Sequence, residues 1–209
     1  MQKAAWLMVC VLLVSLGFAT AASAEDRSIL LYGDSLLAGL GLDPGESFQT
    51  QLQAALDAAG IDVKLVNASV AGDTTADGLD RLEWTLGERP DAVILELGAN
   101  DMLRGLPADE TRASLDAILT RLTTSDLPVL LLGMKADRGL GADYVKVFDG
   151  LYPELAERYD VLFYPFYLQV VGLEPDFYQS DLRHPNGEGV RRIVADLLPK
   201  VKELLARLH

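Results

Sequence analysis

Histidine is scarce in this chain, and its scarcity narrows the choice of a general base. The sequence contains 2 histidines, His184 and the terminal His209. Because chain termini are usually poorly ordered, His184 is the candidate imidazole for proton transfer near neutral pH. Asp181, three residues earlier, can accept a hydrogen bond from one ring nitrogen and leave the other to face a nucleophile. The alternatives are a surface histidine that caps the last helix and an aspartate that caps a turn.

Segment 33–36, with the sequence GDSL, supplies a hydroxyl group for such a base. Ser35 follows a glycine at a predicted strand-to-helix transition, where a hydroxyl can project from the edge of a sheet. A serine here can also be a helix N-cap, and the two roles are compatible. Leu37 stands where the G-x-S-x-G nucleophile elbow requires its last glycine, so an ordinary α/β-hydrolase is disfavoured. Ser35 and His184 together predict nucleophilic acyl transfer.

Acyl transfer also requires hydrogen-bond donors for the negatively charged oxygen of the intermediate. Gly72 can bring its backbone N–H close to a substrate because it has no Cβ. Asn100 can offer a side-chain N–H. The alternatives are a turn glycine and an asparagine that stabilises a loop. Loss of one such donor typically costs about 2.7–4 kcal/mol of transition-state stabilisation.

Short apolar runs alternate with helical patterns, which is typical of an α/β protein. The runs are rich in Val, Ile and Leu without polar alternation, so both faces of their sheet should be covered. Alternation with helices favours right-handed crossovers and a parallel sheet. We therefore expect a three-layer α/β/α sandwich with five parallel strands. Pro153 predicts a new helical segment or a kink, and Pro199 predicts a bend. The predicted strands are 28–32, 63–67, 92–97, 128–132 and 161–164, and the predicted helices are 48–59, 75–86, about 115–122, 142–159 and 190–205.

Four polar or glycine-bearing segments follow predicted strands. Ligands of such sheets bind beyond the carboxyl ends of the strands, so we expect the four segments to meet on one rim. Asp34, Asp73 and Asp101 in these segments suggest a metal site at first sight. Without histidine or cysteine partners, we expect them to form caps and loop hydrogen bonds instead, and we predict no metal and no organic cofactor. The segments are 33–36, 71–73, 98–101 and 181–186.

The first 24 residues differ in kind from the rest. Lys3 is their only charge, an apolar run follows it, and Ala22 and Ala24 place small residues just before Glu25. This pattern predicts a secretory signal peptide cleaved after Ala24, which leaves residues 25–209 as a single domain. The run is short for a transmembrane span, so we expect no stable membrane insertion after cleavage. A periplasmic or secreted bacterial protein is expected.

Composition limits the possible partners. The single cysteine, Cys10, lies in the predicted signal peptide, so the mature chain would contain no disulfide, cysteine nucleophile or thiolate metal site. A formal net charge of −13 disfavours nucleic acid and anionic membranes. We expect a monomer that acts on a small molecule. Trp84, the one tryptophan of the mature chain, is expected to pack against the sheet.

Four blocks of this sequence resemble those of the SGNH, or GDSL, hydrolase family. They carry Ser35, Gly72, Asn100 and His184 in this order, and the similarity spans nearly the whole mature chain. The resemblance implies a flavodoxin-like SGNH fold with Ser35 as nucleophile, His184 as base and Asp181 as the acid that orients the base. It also implies an oxyanion hole formed by the backbone N–H groups of Ser35 and Gly72 and by the side chain of Asn100.

Within this family the sequence is most similar to the branch of bacterial periplasmic thioesterase I/protease I/lysophospholipase and arylesterase enzymes. The resemblance implies hydrolysis of acyl esters, thioesters or lysophospholipids. The loop after Asn100, with Met102, Leu103, Leu106 and Pro107, and the apolar segment 163–171 could form a groove for a fatty acyl chain. The alternatives are a carbohydrate deacetylase with the same triad and a non-catalytic protein that binds acyl groups. The similar segments are 66–69, 96–98, 103–105 and 152–153.

One pair of residues departs from the family pattern. Leu182 and Arg183 stand between Asp181 and His184, where the family usually has a small residue and an apolar one. The D-x-x-H spacing is kept. Arg183 either projects into the mouth of the site and alters the choice of leaving group, or is simply solvated.

Overall fold

Leucine-rich and β-branched runs form a five-stranded sheet at the centre of the protein. The computed structural model describes residues 27–208, so the predicted signal peptide, its cleavage site and His209 lie outside the described residues. The strands are β1 (Ser28–Gly33), β2 (Lys64–Asn67), β3 (Ala92–Glu96), β4 (Val129–Leu132) and β5 (Leu162–Tyr164).

The sheet is wholly parallel, in the order β2-β1-β3-β4-β5, and the predicted α/β class is confirmed. β1 and β3 are central neighbours. Gly33, the last residue of β1, is paired with Glu96, the last residue of β3. The segments that follow these two strands therefore leave the sheet side by side at the same edge.

Helices on both sides of the sheet complete the predicted three-layer sandwich. One group packs α7 against α2, and the other packs α5 against both α3 and α6. The short helices α1 and α4 follow β1 and β3 directly, and α4 was not predicted. The helices are α1 (Ser35–Ala38), α2 (Phe48–Ala58), α3 (Thr75–Thr85), α4 (Ala99–Leu103), α5 (Ala108–Thr123), α6 (Ala142–Arg158) and α7 (Gly187–Leu205).

Neither internal proline ends its helix. α6 continues through Pro153, so the expected new segment at this position is wrong. A proline removes one backbone hydrogen bond, and tertiary contacts of its neighbours can outweigh that loss. Tyr152 is buried and donates a hydrogen bond to the carbonyl of Leu97 at 2.9 Å, which fixes α6 against the end of β3. α7 likewise continues through Pro199.

Trp84 corrects one expectation about the core, since its side chain is 83% exposed. The buried stripe of α3 runs through Thr75, Gly78, Leu82 and Thr85, and Trp84 lies off this stripe. At Gly78 the helix approaches the sheet so closely that a Cβ atom would stand 2.5 Å from Leu97. The inner face of α3 therefore has room for small and medium side chains only. No helix within residues 27–208 is long and apolar enough to cross a membrane.

Candidate active site

Ser35, His184 and Asp181 form one hydrogen-bonded chain. Oγ of Ser35 lies 2.8 Å from Nε2 of His184, and Nδ1 of His184 lies 2.5 Å from Oδ2 of Asp181. The imidazole side chain is 21% exposed, so a substrate can reach it while most of the ring stays packed. In this arrangement a carboxylate orients an imidazole towards a hydroxyl nucleophile.

A tight turn holds the carboxylate against the imidazole. Oδ1 of Asp181 accepts hydrogen bonds from the backbone N–H groups of Arg183 at 2.9 Å and His184 at 3.1 Å. Leu182 has a φ of 56°, in the left-handed region that leucine rarely adopts. The backbone N–H of Gln179 donates to the carbonyl of His184 at 2.8 Å and closes the turn. The structure thus places the two side chains as their three-residue spacing predicts.

Asp181 keeps its negative charge far into the acid range. Burial raises the pKa of Asp181, but hydrogen bonds from the His184 side chain and from the backbone N–H groups of Arg183 and His184 outweigh burial and lower it to about 2. An ionised carboxylate can only accept, so Nδ1 of the imidazole is the donor of this hydrogen bond. Nε2 is the ring nitrogen that faces the Ser35 hydroxyl.

Ser35 lies at the start of α1, directly after β1. The N-cap of this helix is Asp34, whose Oδ1 accepts a hydrogen bond from the backbone N–H of Leu36 at 3.0 Å. The alternative that Ser35 is itself the N-cap is therefore wrong. As the first residue of the helix, Ser35 has a backbone N–H without an acceptor inside the helix. Both its hydroxyl and its N–H are thus available to a ligand.

Gly72 lines the same pocket as Ser35 and His184. It has a φ of 93°, which glycine adopts without strain. A Cβ atom here would meet no atom closer than 3.9 Å, so the backbone conformation, and not a lack of room, requires the glycine. The carbonyl of Gly72 accepts a hydrogen bond from Arg104 at 2.6 Å, which holds the peptide unit between Gly72 and Asp73 in place.

The side-chain amide of Asn100 is held by two acceptors. Nδ2 donates to Oδ2 of Asp34 at 3.0 Å and to the backbone carbonyl of Asp73 at 2.9 Å. An amide nitrogen carries two hydrogens, so these two bonds engage both of them. The asparagine thus does stabilise a loop, and it also lines the pocket beside Ser35.

Arg81, which the sequence analysis did not single out, ties the segments after β1 and β2 together. Its guanidinium group donates to Oδ2 of Asp73 at 2.6 Å and to the carbonyls of Ala68 at 2.5 Å and Gly33 at 3.2 Å. The sequence holds no local sign of this role, because the acceptors come from distant positions that only the fold brings together.

Glu96 is a second residue of the site that the sequence analysis missed. It is fully buried, and its Oε2 accepts a hydrogen bond from the backbone N–H of Asp34 at 3.3 Å. Burial and the charge of Asp34 raise the pKa of Glu96 well above its usual range, and burial raises the pKa of Asp34 to about 6. A signal was present in the sequence: Glu96 is the one charged residue in the apolar run 92–97.

The three aspartates considered as metal ligands are occupied by other contacts. Asp34 caps α1, and Asp73 pairs with Arg81. Asp101 is buried and accepts from the backbone N–H of Thr75 at 2.9 Å and from its hydroxyl at 2.6 Å. These are the caps and loop hydrogen bonds that were expected. Within residues 27–208, no group of three or more His, Cys, Asp or Glu residues could hold a metal ion.

A pocket of about 780 Å³ opens beside Ser35 and His184. Its apolar wall includes Met102 and Leu103 after Asn100, and Phe166 and Leu168 after β5, but not Leu106 or Pro107. Arg183 lines the mouth and is exposed. No carboxylate is among the residues that line it in the described part of the chain. These residues are Ser35, Leu36, Leu40, Ala71, Gly72, Ala99, Asn100, Met102, Leu103, Met134, Lys135, Phe166, Leu168, Gly172, Leu173, Pro175, Tyr178, Leu182, Arg183 and His184.

The sequence is similar to those of known hydrolases. The family model of the GDSL-like lipase/acylhydrolase family matches residues 31–192. The esterase TesA of Pseudomonas aeruginosa is 35% identical over 205 residues, which cover 98% of this chain and 100% of the relative. Thioesterase 1/protease 1/lysophospholipase L1 of Escherichia coli is 34% identical over 196 residues, which cover 93% of this chain and 91% of the relative.

The fold also matches solved structures. The crystal structure of AlinE4, an esterase of the SGNH hydrolase family, superimposes with a TM-score of 0.73 and 46% sequence identity. The match covers 87% of this chain and 97% of AlinE4.

The pKa of Asp181 predicts a loss of stability in acid. The ordinary pKa of 3.8 applies to the unfolded chain, and the folded value is about 2. A lowered carboxyl pKa stabilises the fold above the unfolded value, and this contribution is lost as the pH falls towards the folded value. Between about pH 6 and about pH 2, wild type should therefore lose more free energy of unfolding than Asp181→Asn does.

Urea unfolding followed by circular dichroism measures this difference. Asp62→Asn, at an exposed aspartate before β2, is the matched control and should follow the wild type. Equal losses for wild type and Asp181→Asn would show that the hydrogen bonds to Asp181 do not persist in solution.

Proposed function

Because this chain belongs to the GDSL-like lipase/acylhydrolase family, we propose that it hydrolyses acyl esters and thioesters through an acyl-enzyme on Ser35. Its membership of a hydrolase family is in line with the SGNH resemblance and disfavours the non-catalytic alternative. The observation that carries the proposal is the 2.8 Å contact between Oγ of Ser35 and Nε2 of His184, at the wall of an open pocket.

The reaction proceeds in two acyl transfers. His184 takes the hydroxyl proton as Oγ of Ser35 attacks the carbonyl carbon, and it then gives this proton to the departing alcohol or thiol. Water repeats the attack on the acyl-enzyme, with His184 again as general base, and releases the acid. Asp181 stays ionised throughout and stabilises the imidazolium that forms twice in each cycle.

The oxyanion is stabilised by the backbone N–H groups of Ser35 and Gly72 and by the amide of Asn100. Support for this assignment comes from their common pocket and from the first position of Ser35 in α1. At Asn100 the oxyanion competes with the neutral carbonyl of Asp73 for one amide hydrogen, because the other is held by Asp34. A charged oxygen is the stronger acceptor, so this exchange favours the intermediate over the substrate.

The pocket supports acyl groups larger than acetyl. Its lining combines apolar side chains from the segments after Asn100 and after β5 with two cations, Lys135 and Arg183. Each buried methylene contributes about 0.8 kcal/mol of binding, so an acyl chain of several carbons gains from this wall. Among the described residues that line the pocket, no feature specifically favours an acetylated sugar.

Export is part of the proposal. Residues 1–24 carry the signal-peptide pattern, and we propose that cleavage after Ala24 releases residues 25–209 into the periplasm or the medium. A mature chain that begins at Glu25 would retain every residue discussed in the site.

The nucleophile assignment predicts complete dependence on Ser35. Ser35→Ala should lower kcat for p-nitrophenyl esters by about 10⁴-fold or more and should abolish labelling by a fluorophosphonate probe. Ser180→Ala, at an exposed serine of the loop before Asp181, is the matched control and should keep wild-type activity and labelling. Ester hydrolysis that persists in Ser35→Ala would contradict the assignment.

The apolar pocket predicts a rise of kcat/KM with acyl chain length. On a panel of p-nitrophenyl esters, each added methylene that reaches the wall should raise kcat/KM by up to about fourfold. Leu168→Trp should reduce this gain for medium and long chains and leave acetate hydrolysis nearly unchanged, since acetate does not reach that wall. If acetate is the better substrate, the acyl groove is wrong and acetylated sugars become the substrates to test.

The signal-peptide proposal predicts a defined N-terminus. When the full chain is expressed in a bacterium, intact mass spectrometry of the exported protein should give a chain that begins at Glu25. Ala24→Phe should block cleavage because the position before the scissile bond needs a small residue, whereas Ser23→Phe, at the less restricted position next to it, should be processed. Unprocessed wild-type protein confined to the cytoplasm would refute export.

A further inference from the structure

Glu96 places an acid where the core is otherwise apolar. It ends β3, its side chain is 0% exposed, and Oε2 accepts from the backbone N–H of Asp34 at 3.3 Å. Oε1 has no hydrogen-bond partner within residues 27–208. Burial of an incompletely bonded carboxyl group opposes folding. Packing of the core therefore does not explain why a glutamate stands here. Its hydrogen bond with Asp34, the residue before Ser35, indicates a role in the site.

Asp34 connects Glu96 to the oxyanion donor. Its Oδ1 accepts from the backbone N–H of Leu36, and its Oδ2 accepts from the amide of Asn100, both at 3.0 Å. The pairing of Gly33 with Glu96 across β1 and β3 sets Glu96 beside the residue that precedes Asp34. A continuous series of contacts thus runs from Glu96 in the core through Asp34 to Asn100 at the pocket wall.

We propose that Glu96 is a positioning residue for the hydrolysis: as a neutral carboxylic acid it supports Asp34 as a charged acceptor, and Asp34 fixes the amide of Asn100 for the oxyanion. The inference rests on the proposed function, because an oxyanion forms here only if Ser35 attacks an acyl carbonyl. A donor that is already fixed stabilises the developing charge without reorganisation, and this is what makes such a donor effective.

The distribution of the proton between the two acids follows from their surroundings. Two adjacent buried carboxyl groups do not both ionise near neutral pH. The more buried Glu96 retains the proton, since burial and the charge of Asp34 raise its pKa well above the usual range. Asp34 has its pKa raised by burial to about 6, and its bonds to Leu36, Glu96 and Asn100 and the nearby His184 oppose that rise.

The phenols near this pair add no charge to it. Burial, together with the nearby carboxylates, raises the pKa values of Tyr152 and Tyr167 well above their usual range, so both phenols stay neutral. The hydroxyl of Tyr152 already donates a hydrogen bond to the carbonyl of Leu97. The pair Glu96 and Asp34 therefore carries one negative charge, which lies on the residue that holds Asn100.

Two substitutions of Glu96 separate hydrogen bonding from burial. Glu96→Gln keeps the shape and the acceptor for the backbone N–H of Asp34 in an uncharged side chain, and should retain kcat within about threefold of wild type. Glu96→Leu removes both hydrogen-bonding groups and suits the apolar surroundings, so its thermal unfolding temperature should equal or exceed that of wild type. Its kcat for p-nitrophenyl esters should nevertheless fall by about tenfold to a hundredfold, with KM within about threefold.

A double-mutant cycle with Asn100→Ala tests whether Glu96 acts through the amide. In the Asn100→Ala background, Glu96→Leu should lower kcat by less than about threefold, since the group that it positions is gone. Full additivity of the two effects, or a Glu96→Leu single variant with wild-type kcat, would overturn the proposal. Equal loss of kcat in Glu96→Gln and Glu96→Leu would overturn the neutral-acid assignment.

The protonation of Glu96 can be tested even if Glu96→Leu is unstable. Infrared difference spectra of wild type against Glu96→Gln at neutral pH should show the carbonyl band of a protonated carboxyl group, and its absence would refute the inference without need of the leucine variant. Wild-type esterase activity and fluorophosphonate labelling of Ser35 report separately on the proposed function. If wild type has neither, the proposed function fails; if it has both and Glu96→Leu is unaffected, only the inference on Glu96 fails.

Discussion

The site depends on one constraint: the neighbouring strands β1 and β3 end at the same edge of the sheet, at residues that are paired with each other. Both strands run in the same direction, are hydrogen-bonded neighbours and stop at the pair Gly33 and Glu96. The next residues of the two segments therefore lie side by side, which lets Asp34 accept from Asn100 across 66 positions of sequence. Asp34 also caps α1, and the cap sets the position of the Ser35 hydroxyl and N–H. The proposed nucleophile and the proposed oxyanion donor are thus oriented by one carboxylate at one sheet edge.

The proposed base, His184, is positioned by different means. His184 comes from the long segment between β5 and α7, which lies beyond the last strand. Asn186 anchors this segment, since it caps α7 and its amide donates to the carbonyls of Asp176 at 2.8 Å and Tyr178 at 3.2 Å. α7 in turn packs against α2. The backbone bonds to Asp181 and the bond from Gln179 to the carbonyl of His184 hold the turn at Leu182 in its left-handed conformation, which leucine disfavours.

Local charge in the site differs from the charge of the whole protein. The chain has a formal net charge of −13, yet no carboxylate lines the pocket in the described range 27–208. The acids behind the pocket are each engaged: Asp34 by Asn100, Asp73 by Arg81, and Asp181 by His184. This matters because an uncompensated carboxylate beside the reacting carbonyl would repel the oxyanion, whereas fixed N–H donors attract it. Net charge therefore predicts little about the chemistry of this site.

The sequence by itself determined the layer architecture, the strand positions to within a residue or two, and the identity of Ser35, Gly72, Asn100, Asp181 and His184 as candidates. These follow from local information, namely apolar runs, the scarcity of histidine and short polar segments after strands. Only the tertiary structure decided that Asp34 is the cap of α1, that Trp84 is exposed, that Pro153 lies within a helix, and that Glu96 and Arg81 belong to the site. Each of these depends on contacts between residues far apart in the chain, such as the close approach of α3 to Leu97, and a local pattern carries no such information.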